Sequence, residues 1–550
     1  MSLTIDLSSR RLLLADAIAA LESRRFAAAE AACDLILAMD PADVDALLLR
    51  GLALAASGQA EPAARLLNRV AAARPAFAHP CRDLAGLLEA RELATQVRAC
   101  LDLVPGDARL RLMWADCLQT AGNLDGAVGV LAALLDDDPE SAAAHHRLGM
   151  VRAELGEFDA AIAHMLRAVT LDPVPALGWA NLGMLLKVQG RFAEALDAYD
   201  EALRRAPRDA RIRVNRVVAL LHAGRYAEAW EDHEWRFALT DNALTDKAGS
   251  DTANAERTGT ERTGPRMAGL LPPLASLPGI GGRTVLLTHE AGFGDMLHFC
   301  RYILLLAARG ARIVLAVPPE LHRLLAAMPC VAETVLMTGK LPAHDWHCPI
   351  TSLPRMFGTT LETIPAEVPY LTADPTLVAA WAARLPAGPG LRVGLAWAGQ
   401  ARPWLPGFVT VNARRSTSLA QFTPFGAVHG VQFVSLQAGT PASEARMLPQ
   451  GLALHDPMPG VADFADTAAI IANLDLVISV DTSVVHLAGA LGKPVFLLDR
   501  YDNCWRWLSG RTDSPWYPRL RIFRQAQIGD WAPVIRHAAA ALAEFATGAH

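Results

Sequence analysis

Two short segments in the second half of the chain combine residue types that can do chemistry. The first runs from 289 to 302, HEAGFGDMLHFCRY, and carries Gly292, Gly294, Asp295 and His298. The glycines permit a tight turn, and Asp295 opens the next helix, where its carboxylate could cap free backbone amides. In the alternative interpretation the carboxylate faces a cleft as a general base, and both roles are compatible only if one oxygen remains free.

The second segment is 478–498, ISVDTSVVHLAGALGKPVFLL. A buried strand leads into Asp481, Thr482 and Ser483, and then into a helix that carries His486 one turn beyond Thr482. The start of such a helix favours phosphate, because its amides are free and its dipole is positive there. Since Asp481 would repel a diphosphate at close range, we expect it to face sugar or ribose hydroxyls, with an N-cap role as the alternative.

The elements that must position these segments alternate between strands and helices. Short apolar runs typical of buried strands occur at 284–288, 312–317, 333–337, 392–397, 431–436, 476–480 and 494–499. This alternation predicts parallel sheets covered on both faces. The proline-rich stretch 359–390 predicts a connection between two doubly wound domains with a cleft between them. Ligands in this architecture bind beyond the carboxyl ends of strands, which is where both segments lie.

The first half of the chain repeats with a period of 34 residues. Prolines at 139, 173 and 207 keep this step, as do glycines at 156, 190 and 224 and alanines at 161, 195 and 229. Small residues let two antiparallel helices approach, and proline ends the second helix. The pattern resembles the tetratricopeptide repeat, with about seven units between 10 and 237. The third unit, around 76–107, is irregular.

Asn181 and Asn215 lie one period apart, on the first helices of adjacent repeats. In that register they would line a groove in which carboxamides can hydrogen-bond an extended peptide backbone. The alternative is that asparagine is simply common at this consensus position. By analogy of fold, the repeat groove is expected to bind a peptide or protein, which here would be the acceptor.

The two segments together resemble the ADP-heptose:lipopolysaccharide heptosyltransferases over roughly 280–546. The resemblance rests on a Gly-Asp-x-x-His element at Gly294 and an Asp-Thr-x-x-x-His-Leu-Ala element at Asp481. It implies a glycosyltransferase-B fold, with Asp295 as the base. The residues assigned to the nucleotide-sugar donor are Asp481, Thr482, Ser483 and His486, and those assigned to the acceptor side are Gly292, Gly294, His298, Asn181 and Asn215.

Heptosyltransferases usually place a basic residue after the strand that corresponds to 392–397, where it meets the donor phosphates. The candidates here are Arg402, Arg414 and Arg415, of which we favour Arg415. A second basic cluster either clamps phosphate or pairs with surface acids. Its members are Arg506, Arg511, Arg519, Arg521 and Arg524.

The whole chain resembles bacterial proteins that join tetratricopeptide repeats to this kind of glycosyltransferase domain, among them flagellin glycosyltransferases. The architecture is also similar to O-linked N-acetylglucosamine transferase, although the catalytic motifs differ. The resemblance implies transfer of a sugar from a nucleotide-sugar to a protein hydroxyl, with inversion at the anomeric carbon. A glycan or lipid-linked acceptor is one alternative, and a non-catalytic repeat scaffold is the other.

Composition restricts the partners and the compartment. The 550 residues carry 51 Lys and Arg against 57 Asp and Glu, a net charge of −6 that argues against general nucleic-acid binding. The eight cysteines form no C-x-x-C pair and the Asp-x-Asp patterns fall at repeat boundaries, so we expect neither a bound metal nor a cofactor. No apolar run reaches the ~18 residues of a membrane span. Without a signal-peptide core, the expected location is the cytoplasm.

The predicted fold class is therefore an α-solenoid followed by an α/β glycosyltransferase-B fold with two Rossmann-like domains. The predicted parts are a tetratricopeptide-repeat solenoid at 10–237, a flexible linker at 238–279, an acceptor-side domain at 280–374 and a nucleotide-sugar-binding domain at 375–550.

Overall fold

The computed structural model describes residues 7–22, 25–73, 94, 97–98, 101, 105–239, 279–337, 341–400 and 406–548. The irregular third repeat falls largely outside these residues, and so does most of the predicted linker, from 240 to 278.

Pairs of helices make up the first half of the chain. They are α1 Leu7–Glu22, α2 Phe26–Met39, α3 Val44–Ala56, α4 Ala60–Ala73, α5 Ala108–Thr120, α6 Leu124–Asp137, α7 Ala142–Glu154, α8 Phe158–Leu171, α9 Ala176–Val188, α10 Phe192–Arg205, α11 Ala210–His222 and α12 Tyr226–His233. From α5 onward both the first and the second helices of successive pairs begin 34 residues apart. The predicted helix-turn-helix repeats are confirmed.

The turn inside each pair depends on glycine. Gly122, Gly156, Gly190 and Gly224 have φ angles between 71° and 83° where the first helix of the pair ends. Other side chains rarely adopt this left-handed conformation, which explains why glycine recurs at this offset.

The first sheet has four parallel strands. They are β1 Thr284–Thr288, β2 Arg312–Val317, β3 Val331–Leu336 and β4 Trp346–Pro349, and their order is β3-β2-β1-β4. The accompanying helices are α13 Phe293–Phe299, α14 Arg301–Ala308, α15 Pro319–Ala326 and α16 Leu353–Met356. The interior of β1 and β2 is fully buried, as the continuous apolar runs require.

The second sheet has six parallel strands. They are β5 Leu391–Ala396, β6 Val431–Ser435, β7 Leu454–His455, β8 Leu476–Val480, β9 Val495–Asp499 and β10 Leu520–Arg524, in the order β10-β9-β8-β5-β6-β7. Its helices are α17 Pro375–Ala382, α18 Pro406–Arg415, α19 Phe464–Ala472, α20 Ser483–Ala490 and α21 Trp531–Ala546. The core on one face centres on Trp397, Phe422 and Phe425, which are completely buried. Two parallel α/β sheets after a helical repeat region confirm the predicted fold class.

The seven strands predicted from apolar runs are all present, and their ends lie within two residues of the predicted ones. Three strands were missed. β4 and β7 are only four and two residues long, and β10 is an edge strand whose apolar residues are interrupted by Arg521. The connection at 359–390 carries α17, whose Trp381 donates its indole N–H to Asp466 of α19 at 3.0 Å.

The described part of the chain divides into two compact units, Met1–Leu185 and Leu186–His550. The second unit contains both sheets and also α10, α11 and α12. The last helices of the repeat region therefore belong to the same compact unit as the two sheets.

Candidate active site

A cleft of about 1220 Å³ lies in the second unit. Its lining comes from the loops that follow β1, β5, β6, β8 and β9, so it sits at the carboxyl ends of strands from both sheets. This is the position at which parallel α/β sheets bind ligands. Both sequence segments contribute: the first supplies Asp295 and the second supplies Asp481.

Asp295 is the third residue of α13 rather than its N-cap, which is Gly292. One carboxylate oxygen, Oδ2, accepts the Gly292 backbone N–H at 2.9 Å, and the other, Oδ1, contacts Nη2 of Arg506. Both oxygens therefore have a partner. The dual role considered from the sequence, in which Asp295 both caps the helix and acts as a base, required one free oxygen. An ionised carboxylate has about four acceptor sites, however. Since the Asp295 side chain is 27% exposed and lines the cleft, it retains acceptor capacity towards a ligand.

Arg506, the partner of Asp295, comes from the connection between β9 and β10. Its side chain is only 11% exposed, and its guanidinium lies 4.5 Å from the ring centre of Trp505 and 5.5 Å from that of Phe299. Burial lowers the pKa of Arg506, but the charge of Asp295 more than offsets this, and the pKa is raised. The arginine thus remains charged beside the predicted base.

The predicted basic cluster around Arg506 does not form a phosphate clamp in the structure. Arg511 pairs with Asp513 at 2.7 Å, and Arg524 pairs with the buried Asp499 at 2.8 Å. Arg519 donates to the Gly492 carbonyl at 3.0 Å. Arg506 alone of this set lines the cleft.

The second segment behaves as a strand–helix junction. Thr482 is the N-cap of α20, and its hydroxyl accepts the Val484 N–H at 3.3 Å. The N-cap is therefore Thr482 and not Asp481, the residue for which that role was the alternative. Within the described part of the chain the Asp481 carboxylate accepts no hydrogen bond, and it lines the cleft together with Thr482 and Ser483. Its side chain is consequently available to ligand hydroxyls.

Arg415, the favoured phosphate-binding residue, is the last residue of α18 and lines the cleft. Its Nη1 donates to the Asp481 carbonyl at 3.3 Å, and its Nε and Nη2 donate to Asn412 at 3.1 and 3.0 Å. A guanidinium is thereby held beside the start of α20. Arg414 instead pairs with Asp502 at 2.8 Å, and Arg402 lies outside the described residues.

The two predicted histidines meet at a buried tyrosine. The Nδ1 atoms of His298 and His486 lie 3.0 and 2.9 Å from the hydroxyl of Tyr517. The donor in each contact depends on the tautomer of the imidazole, and the hydroxyl of Tyr370 lies 3.4 Å from the same oxygen. Burial lowers the pKa of both histidines well below the usual range, so both are neutral.

The structure places His298 in the interior and not on the acceptor side of the cleft. Its side chain is completely buried, whereas His486 is 5% exposed and reaches the cleft. The sequence could not show this, because Tyr517 and the surrounding tryptophans come from a distant segment. The histidine pair serves to pack α13 against α20.

Gly294 permits this close packing. A Cβ at Gly294 would lie 2.9 Å from Cδ2 of His486, closer than real contacts allow. Gly292 has an ordinary extended conformation, with φ −104°. The residue with positive φ in this loop is Ala291, at 66°, so the tight turn predicted for the glycines is made by an alanine.

The two predicted groove asparagines differ in their surroundings. In the first unit, Nδ2 of Asn181 lies 3.0 Å from Nε2 of His146, in the preceding repeat. In the second unit, Asn215 is exposed on α11. A peptide-binding role for either asparagine stays a prediction.

A smaller pocket of about 200 Å³ adjoins the cleft and shares Ala291, Asp295 and Arg506 with it. Two of its walls come from the last two helices of the repeat region. They contribute Val217 and Leu221 from α11 and Trp230 and His233 from α12.

Arg236, which follows α12, ties this wall to the loop that carries Asp295. It binds Glu290 through two hydrogen bonds of 2.8 and 2.9 Å, Glu234 at 2.8 Å and the Ser352 hydroxyl at 2.7 Å. Burial raises the pKa of Glu234, but the neighbouring His233, the charge of Arg236 and the hydrogen bonds from Arg236 and Ser352 outweigh burial and lower it to about 2. Sequence reasoning missed this cluster, since nothing in the spacing of its members brings them together.

Two further observations concern the described residues as a whole. They contain no group of three or more His, Cys, Asp or Glu side chains arranged to hold a metal ion. No helix among them is long and apolar enough to cross a membrane.

Comparison with known proteins finds a family match in each half of the chain. Residues 112–174 and 181–232 match the tetratricopeptide repeat, and residues 434–528 match glycosyltransferase family 9 (heptosyltransferase). The chain thus joins tetratricopeptide repeats to a C-terminal domain of the family 9 type. Protein FlbA of Caulobacter vibrioides is 31% identical over 294 residues, which are 48% of this chain and 47% of FlbA. The chain therefore spans about half the length of the curated relative it matches.

Solved structures of both kinds are similar to parts of the chain. The ADP-heptose lps heptosyltransferase II of E. coli aligns with 13% identity over 48% of this chain and 100% of that one, with a TM-score of 0.36. The glycosyl transferase family 9 protein of Veillonella parvula DSM 2008 aligns with 11% identity over 45% and 87% of the two chains, with a TM-score of 0.34. MamA aligns with 20% identity over 36% and 96%, with a TM-score of 0.25.

Proposed function

We propose that the protein is a glycosyltransferase that moves a sugar from a nucleotide-sugar to a serine or threonine hydroxyl of a protein held by its repeats. A flagellin-like protein is the favoured acceptor. The observation that carries the proposal is the cleft in which Asp295 and the Asp481–Thr482 junction, from different sheets, line one space. The family 9 match at 434–528 includes that junction.

The proposed chemistry is a single displacement. The acceptor oxygen forms a bond to the anomeric carbon, and the bond from that carbon to the donor phosphate breaks, with its electron pair passing to the phosphate. Asp295 takes the hydroxyl proton as the bond forms. Such a displacement inverts the anomeric centre.

Negative charge develops on the leaving phosphate, on the side of the anomeric carbon opposite the acceptor hydroxyl, and positive charge is needed there. The backbone N–H groups at the start of α20 and the guanidinium of Arg415 lie together there, since Arg415 donates to the Asp481 carbonyl. Together they stabilise a departing diphosphate by preorganised electrostatics. The Asp481 carboxylate is left to accept hydrogen bonds from sugar or ribose hydroxyls. We propose that the nucleotide-sugar is a substrate, and that neither a metal ion nor a cofactor takes part.

The first experiment is a thermal-shift screen of the full chain against UDP, ADP, GDP, CMP and their common sugar conjugates. A ligand present at 100 times its dissociation constant raises the free energy of unfolding of the unit that binds it by about 2.7 kcal/mol. Each kcal/mol moves the melting temperature of a unit of 150–250 residues by about 2–4 °C, so this gain corresponds to about 5–11 °C, and to less in the larger second unit. We expect one nucleotide class to shift the wild-type protein.

Two neighbouring arginines provide a matched pair for this screen. Arg415→Met should abolish the shift, because it removes the guanidinium at the start of α20. Arg414→Met should retain it, since Arg414 pairs with Asp502. If no nucleotide shifts the wild type, or if both variants keep the full shift, the donor site is not where we place it. If no ligand changes the melting temperature, the result favours a non-catalytic scaffold.

A further inference from the structure

We infer that the 200 Å³ pocket beside Asp295 is the acceptor subsite, and that it receives the serine or threonine side chain of an extended polypeptide delivered by the last repeat. The inference rests on the proposed function and adds where the acceptor binds and which residues select it. It differs from the groove prediction for Asn181 and Asn215, because neither asparagine lines this pocket.

The position of the carboxylate carries the argument. A general base must touch the acceptor hydroxyl while that hydroxyl faces the anomeric carbon of the donor. Asp295 lines both the large cleft, which contains the Asp481–Thr482 junction, and the small pocket, which does not. With the donor in the cleft, the small pocket is therefore the second space from which a hydroxyl can reach Asp295.

The size of the pocket restricts what can enter it. Small-molecule sites usually measure about 300–1,000 Å³, and this pocket is smaller, at about 200 Å³. Because roughly 10–15 Å³ holds one water molecule, there is room for a short side chain with its backbone.

The walls of the pocket explain why its occupant should be a polypeptide. Val217 and Leu221 come from α11 and Trp230 from α12, so the last repeat itself forms one side. The indole N–H of Trp230 donates to the Thr359 carbonyl at 2.8 Å, which holds α12 against the segment that follows α16. A chain that passes along α11 and α12 would thus meet a wall that is fixed relative to the proposed base.

The test fills the pocket without touching the base or the donor residues. Val217→Phe extends a wall side chain into the space. Val218→Phe is the matched control, since Val218 is the next residue on α11, is half-buried and is not among the residues that line the pocket. Each full-length variant is expressed in a strain of the source organism that lacks the chromosomal copy.

The products of the protein are the glycopeptides that are absent from the deletion strain and present again when the wild-type gene is restored, as measured by mass spectrometry. We expect their attachment sites to be serine or threonine, and their occupancy to fall at least tenfold with Val217→Phe but not with Val218→Phe. Nucleotide-sugar binding by purified Val217→Phe, measured calorimetrically, should stay within about twofold of the wild type. If Val217→Phe misfolds and loses donor binding, Val217→Met replaces it in the test, because the flexible methionine side chain also fills the pocket.

Full occupancy in the Val217 variant that retains donor binding would overturn the assignment of the pocket while leaving the proposed function intact. Attachment to a glycan or a lipid carrier in place of serine or threonine would overturn the acceptor class. If no product depends on the gene, although the donor binds, the proposed function fails and the acceptor subsite fails with it.

Discussion

Replacing Arg236 by methionine should lower the free energy of unfolding of the second unit by about 3 kcal/mol at pH 7. Arg236 is the shared cation for Glu234 and Glu290, and the Glu234 side chain is only 7% exposed. Removing one partner of a buried pair typically costs about 3–5 kcal/mol, because the remaining charge is buried without compensation. Methionine replaces the aliphatic stem of the arginine side chain, so the packing of that stem is largely preserved.

The pKa of Glu234 gives the same magnitude. It falls from 4.5 to about 2 in the folded protein, and one pKa unit corresponds to about 1.36 kcal/mol. The difference is about 3 kcal/mol, which is the stabilisation by all the partners of Glu234 less the cost of its burial. Arg236 supplies part of this, and it also compensates Glu290, whose pKa it lowers against the effect of burial.

The pH dependence has a definite sign. Because the folded-state pKa of Glu234 lies below its unfolded value, the stabilisation is present above about pH 4.5 and is lost as the pH falls towards 2. The deficit of the Arg236→Met variant should therefore be largest near pH 7 and smaller at pH 4. Urea unfolding followed by tryptophan fluorescence at both pH values measures this difference.

Arg355→Met provides the control, since Arg355 also joins α12 to the first sheet region. It binds Glu231 at 2.9 and 3.0 Å, but Glu231 is 62% exposed. A pair of this kind contributes about 0–1 kcal/mol. The two variants should differ in their loss of unfolding free energy. Equal losses, or a loss for Arg236→Met that does not change with pH, would show that the buried cluster does not stabilise the contact between α12 and the first sheet region.

Two further substitutions test packing and catalysis. Gly294→Ala should cost about 1–3 kcal/mol, because its methyl group would collide with His486, whereas Gly129→Ala, with no atom within 4 Å, should be neutral or slightly stabilising in the same thermal unfolding assay. Asp295→Asn should reduce turnover by about 10²–10⁴ with nucleotide binding retained, as expected for loss of a general base. Unchanged turnover would exclude Asp295 from that role.

Most of the fold could be predicted from local patterns. The 34-residue period and the apolar runs depend on contacts that each segment makes with its neighbours, and both predictions hold. β10 was missed because it is an edge strand, where Arg521 faces solvent and the apolar run is interrupted. The loop after β1 was predicted to turn at glycine, yet the positive φ falls on Ala291, and no local pattern marks that residue.

The site could be predicted only in part. Asp295, Asp481 and Thr482 were selected from motif positions at strand ends, which converge by topology, and each lines the cleft, while their roles stay predictions. His298 shares the spacing of a functional histidine but is buried against Tyr517, 219 residues away. The sequence did not distinguish Arg506 from the other arginines of its cluster. Its contact with Asp295, 211 residues earlier in the chain, is visible only in the structure.

The Asp295–Arg506 pair also joins the two sheets. Asp295 follows β1 of the first sheet, and Arg506 follows β9 of the second, in the same sheet as the strand that leads to Asp481. The pair can therefore form only when the two sheets are brought together around the cleft. Since Arg506 lines the cleft and the smaller pocket alike, its contact with Asp295 holds the proposed base at the point where the two spaces meet. The charge that orients the proposed base thus comes from the sheet that carries the proposed donor site, so the orientation of Asp295 depends on how the second sheet packs beside the first.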